Sequence, residues 1–209
     1  MNKEKLAIIF GDQLNKNLPL FDHIDSEKDM IVMAEVMHES THVNTHKSRI
    51  TLFLSAMRHF YQEIKHRFNI MYIQLKKKNN FHTFSDVIEH CLEKYNCKEL
   101  ICVKPGEYRV LEEIRVCCKK NKLKLTVLED NHFMCSKEEF DDYVKDKKSL
   151  IQEFFYRHLR KKTGYLMEGY QPVGGKWNYD KQNRQTFDKL GPDIYDPIIG
   201  HKPDNITQD

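Results

Sequence analysis

Five short apolar runs, set apart by amphipathic stretches, constrain this chain more than any other feature. They fall at residues 6–10, 30–36, 70–75, 99–103 and 124–128. Their near-continuous apolar character predicts strands covered on both faces, the condition of a parallel sheet. Between them, Ile50, Phe53, Leu54, Met57, Tyr61 and Ile64 recur at helical spacing. So do Val87, Ile88, Cys91, Leu92 and Tyr95, and then Val110, Leu111, Ile114, Cys117 and Cys118. Each set makes one apolar stripe along a helix. Alternation of this kind predicts right-handed crossovers and an α/β fold: a doubly wound five-stranded parallel sheet with flanking helices.

Beyond the fifth run, Ser136-x-x-Glu139 and Ser149-x-x-Gln152 carry the capping-box signature and predict two more helices. Gly164 is a suitable stop for the second. After it, Gly, Pro, Asn, Asp and Tyr dominate and the hydrophobic period ends. The expected organisation is an α/β domain over 1–147, a connecting helix over 148–164 and an extended interdomain linker over 165–209. Trp177, Tyr179 and Phe187 would tie that linker down in part. At 209 residues the chain suits one domain with an extension.

Composition narrows the function classes. Lys and Arg total 34 against 31 Asp and Glu, a net charge of +3 that permits nucleic-acid contact without arguing for it. No apolar run nears the roughly 20 residues that span a bilayer, and 6–10 is too short for a signal peptide. The expectation is a cytoplasmic protein with no membrane partner. Six cysteines include no C-x-x-C pair, so they read as buried, reduced hydrophobes rather than metal ligands.

Open parallel sheets bind ligands at the carboxyl ends of their strands, where strand order reverses. The loops to watch are 11–14, 35–46 and 104–109, which carry carboxylates at strand ends. Neither G-x-G-x-x-G nor G-x-x-x-x-G-K occurs, which disfavours a nucleotide-phosphate cradle. Asp12 reads either as a turn former or as an acceptor for a ring N–H or hydroxyl of a ligand. His38-Glu39-Ser40-Thr41-His42 matches the H-E-x-x-H zinc signature, but it follows a strand directly and contains indifferent helix formers. Arg157, Arg160, Lys161 and Lys162 form a basic helix end that suits the helix dipole.

Taken in order, several segments carry a resemblance: IIFGDQL (8–14), EVM (35–37), HK (46–47), SAMRHF (55–60), KPGEYRV (104–110), FMCS (133–136), EFFYR (153–157), and TG (163–164) leading to QPVGGKWN (171–178). The series resembles the deoxyribodipyrimidine photolyase-related proteins, a family of bacterial (6-4) photolyases and iron–sulfur cryptochrome-like proteins. It runs over almost the whole chain. The resemblance implies a Rossmann-like N-terminal domain that holds an antenna chromophore, 6,7-dimethyl-8-ribityllumazine. It further implies a helical C-terminal half with FAD and a 4Fe-4S cluster, which takes the flipped DNA lesion.

Carried over by residue, the resemblance makes Asp12 and Glu39 acidic groups of the antenna pocket. Gly11, Gln13, Ala34, Glu35 and Phe53 become its floor and walls. Ala34 stands where a cysteine can occur in the family, and His38 and His42 lie outside its pattern. No residue here is expected to be catalytic or to bind metal, because the chain stops where the spacer to the catalytic half begins. The expected function is the antenna domain of a light-dependent DNA repair or blue-light-sensing protein. Its partner would be the flavin half, and damaged DNA would be reached only through the full-length protein. Two other readings are a stand-alone small-molecule or partner-binding module and a metal-dependent hydrolase built on the H-E-S-T-H segment.

Overall fold

The computed structural model describes residues 3–76, 80–180, 183, 186, 191 and 199–209. Five strands form one sheet: β1 (Lys5–Ile8), β2 (Met30–Ala34), β3 (Ile70–Ile73), β4 (Glu99–Val103) and β5 (Lys124–Leu128). All neighbours pair in parallel, in the order β3-β2-β1-β4-β5. Each strand starts at, or one residue before, its expected apolar run. The fold is the doubly wound α/β sheet that the alternation predicts.

The period of two along the strands explains the double covering. On one face Leu6, Ile8, Val32, Leu100 and Cys102 pack with residues of α3 (Phe84–Lys94) and α4 (Tyr108–Lys120). On the other, Ala7, Ile31, Met33, Ile101 and Val103 pack with α2 (Lys47–Ile64), which follows a short helix α1 (Met37–Thr41). Leu18, which caps a 3-10 turn at Pro19–His23, and Leu20 within that turn complete the second core. The β1-to-β2 connection holds only this turn, so among the described residues of the first unit α2 is the one long helix on its face. Five of the six cysteines are buried. Burial pushes the thiols of Cys91 and Cys102 up to about 12, which suits inert core groups.

The chain divides into two compact units, Met1–His132 with Pro203–Asp209, and Phe133–Lys202. In the second, α5 (Lys137–Val144) opens with the expected box, Ser136 accepting from the Glu139 N–H and Glu139 from the Ser136 N–H. The box expected at Ser149 does not form. Helix α6 (Gln152–Thr163) begins later, with Ile151 in the cap position and no side-chain cap. A serine can serve the first turn only from the cap itself, and Ser149 lies two residues ahead of it. Gly164 ends α6 with φ +75°, the left-handed conformation that glycine adopts without penalty.

The stretch after Gly164 is more than extended chain. β6 (Met167–Glu168) pairs antiparallel with β7 (Gln171–Pro172), and a 3-10 turn follows at Val173–Gly175. Arg160 is buried and staples this region. It donates to the carbonyls of Tyr165, Leu166 and Trp177 and to the Tyr156 hydroxyl. Arg157, Arg160 and Lys161 lie against the Trp177 ring, so the basic helix end is largely spent on fixing Trp177. The anchor expected at Phe187 lies outside the described residues. A last helix, α7 (Asn205–Gln208), belongs to the first unit and packs on α2.

Candidate functional site

The sheet order fixes where a site can lie. From β1 the chain passes to β2 on one side, and β4 joins on the other, so the loops leaving β1 and β4 diverge. Over that crevice lies a cavity of about 410 Å³. Six residues singled out from the sequence line it: Gly11, Asp12, Ala34, Glu35, Glu39 and Phe53. Apolar walls come from Val36, Ile50, Leu54, Met57 and Val110. The N-terminal half of the α2 stripe therefore faces the cavity, and only Met57, Phe60 and Ile64 are core.

Two glycines keep the space open. A Cβ on Gly11 would lie 2.8 Å from the Met57 sulfur, and one on Gly106 would lie 3.2 Å from an Asp12 oxygen. Any side chain at Gly11 would have to displace a buried methionine.

The four carboxylates around the cavity have different partners. Glu35 is fully buried and its acceptor capacity is used up. Arg58 donates to it from Nε at 2.7 Å and from a terminal nitrogen at 3.1 Å. The Tyr72 hydroxyl donates at 2.7 Å and the Leu75 N–H at 2.9 Å. Burial and the hydrogen bond to Glu35 hold the Tyr72 pKa well above the usual tyrosine range. Glu39 accepts two bonds from Arg109, at 2.9 and 3.2 Å, and the same guanidinium donates to Glu107 at 2.6 Å. Both partners of the Glu39 pair are about one-third exposed, at 33% and 31%.

Asp12 differs from all of these. Among the described residues it has no arginine or lysine partner. Enclosure by protein raises its pKa above the aspartate value of 3.8, and the negative charges of Asp130, Glu39 and Glu107 raise it further. A backbone hydrogen bond opposes the shift. The residue is nonetheless exposed to solvent. Among the described residues, Asp12 is thus the one of the four carboxyls with no ion-pair partner, and it can offer an oxygen to a ligand.

Gln13 sits behind the cavity rather than on its wall. It is buried, and its amide nitrogen donates to the carbonyls of Lys104 at 2.9 Å and Val103 at 3.4 Å. It ties the loop after β1 to the end of β4, while its buried Oε1 has no protein partner among the described residues. Phe53 is on the wall, with the Arg49 guanidinium 5.7 Å from its ring centre.

The H-E-S-T-H segment forms a short helix held by hydrogen bonds and ring contacts. Its helix α1 has five residues, and Glu39 is committed to Arg109. The rings of His38 and His42 lie edge to face 5.4 Å apart, and the His42 Nδ1 bonds the His38 carbonyl. Among the described residues, no group of three or more His, Cys, Asp or Glu could hold a metal ion. Sequence reasoning missed Arg58 and Arg109 as partners of the pocket acids. Both lie within segments of the resemblance, but nothing local shows which acid each would reach across 23 or 70 residues.

A doubly wound sheet with a carboxylate-rimmed cavity over its switch point is the arrangement in which open α/β sheets present a candidate site. The chain belongs to the deoxyribodipyrimidine photo-lyase-related protein family, which it matches over residues 7–209. It is 35% identical over 207 residues to a (6-4) photolyase of Agrobacterium fabrum (strain C58 / ATCC 33970), covering 98% of this chain and 40% of that protein. It is 24% identical over 196 residues to the Uncharacterized protein R852 of Acanthamoeba polyphaga mimivirus, covering 88% of this chain and 95% of that one. Among the described residues, no helix is long and apolar enough to cross a membrane.

Proposed function

We propose that this chain is the antenna-chromophore portion of a photolyase-related protein, serving light-dependent DNA repair or blue-light sensing together with a flavin-bearing catalytic half. The observation that carries the reading is the cavity at the switch point. It offers apolar walls for a flat heterocycle and one unpaired carboxyl, Asp12, for its polar edge. The ligand proposed is 6,7-dimethyl-8-ribityllumazine. The donor set suits it: no glycine-rich phosphate loop is present, and the polar groups are acids able to accept from ring N–H and hydroxyl groups.

When bound, the chromophore would absorb light and pass excitation to the flavin. This chain's own residues would hold and orient it. Val36, Ile50, Phe53, Leu54 and Met57 would exclude water from its faces, and Asp12 would fix its rotation. Glu35 would shape the floor, because its oxygens are already filled by Arg58, Tyr72 and Leu75. FAD, a 4Fe-4S cluster and damaged DNA would engage the catalytic half. Exposed apolar groups in the second unit, among them Leu150, Ile151 and Phe154, are a suitable surface for that partner to cover.

Titration of the chain with 6,7-dimethyl-8-ribityllumazine, followed by ligand fluorescence, tests the reading. Saturable binding at one site, weakened by Gly11→Val through loss of space, is the expected result. No saturable binding would remove the antenna assignment. A second reading, a stand-alone binding module, draws on the mimivirus relative, which the match covers over 95% of its length. Saturable binding of an unrelated heterocycle in preference to the lumazine would favour it.

A further inference from the structure

We propose that α2 carries a proton-dependent docking site for residues 203–209, in which His59 must be in its imidazolium form. The argument starts from hydrogen-bond polarity. The His59 Nδ1 lies 2.7 Å from the Ser55 carbonyl, an obligate acceptor. Its Nε2 lies 2.6 Å from Asp204 Oδ2, a carboxylate oxygen. Neutral imidazole has one N–H, so it can donate to only one of these; the imidazolium donates to both. The docked geometry therefore selects the charged ring.

Two further contacts define the site. The Ser55 and Thr207 hydroxyls lie 2.7 Å apart, and an Arg58 terminal nitrogen donates to Asp209 at 3.1 Å. Asp204 also caps α7 by accepting from the Thr207 N–H at 2.8 Å, so one carboxylate joins the cap to the histidine. The charged groups facing His59 are Asp204 from α7 and Glu63 from its own helix, with Arg58 and Asp209 forming the adjoining pair. The Ser55 carbonyl and Asp204 both raise the His59 pKa above its ordinary 6.5. Thr207, through its N–H and hydroxyl, and then His59 hold Asp204 down to about 2.

The sign follows from linkage. A histidine whose pKa is raised by docking stabilises the docked form fully below pH 6.5 and loses that contribution as pH rises through the raised value. Asp204, with its pKa lowered, contributes fully above 3.8 and loses that contribution as pH falls toward about 2, so it does not limit the window near neutrality. The chain leaves the first unit after His132 and rejoins it at Pro203, so the docked segment is part of the first unit. Each unit of the displacement that Asp204 causes corresponds to about a tenfold difference in docking between charged and neutral His59; the Ser55 carbonyl, on the same helix, acts in both forms.

Amide and imidazole NMR of the whole chain from pH 5.5 to 9 tests this. His59 should titrate above 6.5, and the Thr207 and Gln208 amides should shift with the same midpoint. Asp204→Asn should lower the His59 midpoint, leaving the part raised by the Ser55 carbonyl, and loosen α7 already at pH 6. His59→Gln should abolish the pH response of α7. These side chains are solvent-exposed, so the α/β core, monitored through its own amides, serves as the control. An α7 that does not titrate, or a His59 midpoint unmoved by Asp204→Asn, would overturn the proposal.

Discussion

The two sides of the cavity hold their acids in opposite ways. On the α2 side, Glu35 is wholly buried and filled by four donors from α2, β3 and Leu75, two residues beyond β3. On the α1 side, Glu39 and Glu107 share Arg109 at the surface, where water can replace any of the three. A buried pair with every lone pair satisfied fixes geometry, whereas an exposed pair is adaptable and contributes little. The cavity thus has a rigid wall and an adjustable one, with Asp12 between them.

The largest expected effect comes from breaking the rigid side. Arg58→Met would leave the Glu35 carboxylate buried with only Tyr72 and Leu75, at a cost of about 3 kcal/mol of stability. A urea midpoint should fall accordingly, and Glu35→Gln added to Arg58→Met should recover part of the loss. A midpoint within error of the parent would mean that the pair is not the structural wall described.

Asp12 should behave in the reverse sense. Asp12→Asn is expected to weaken lumazine binding by about 1–3 kcal/mol, the range for losing one partner of a buried polar contact. Stability should not suffer. A carboxyl with a raised folded pKa favours folding below its unfolded value, 3.8, and loses that contribution as pH rises through the folded value. At neutral pH the ionised Asp12 is therefore a burden that asparagine removes. Titration calorimetry and thermal unfolding on the same variant would show the two effects parting. A variant that bound normally but unfolded earlier would make Asp12 a structural residue.

How much of this could be read from the chain follows the range of each interaction. The five strands and their double covering were legible because side-chain period and run length are local properties. Asp12, Glu35 and Glu39 were placed at the strand ends for the same reason. Their roles were not legible. Glu39 was expected to serve the ligand, and its bond to Arg109 depends on a contact across 70 residues. The α3 box of Thr83 and Asp86 also went unread, because Asp stands where the usual signature has Glu or Gln. The Ser149 box failed for a related reason, since the pattern does not fix which residue becomes the cap.

The smallest effect is the most informative about the adjustable wall. Arg109→Ala removes an exposed guanidinium, so global stability should change by less than about 1 kcal/mol. Helix α1 would then be held to the strand-end loop mainly by the Met37 and His38 N–H bonds to the carbonyls of Phe81 and His82. Amide exchange within Met37–Thr41 should rise while β1 and β4 stay protected. Glu39 and Glu107 would also lose their shared cation, and both already raise the Asp12 pKa. That pKa should climb further, so any step in ligand affinity that tracks Asp12 ionisation should move to higher pH in Arg109→Ala. A step that stayed in place would separate Asp12 from the α1 wall electrostatically and leave Arg109 only its mechanical role.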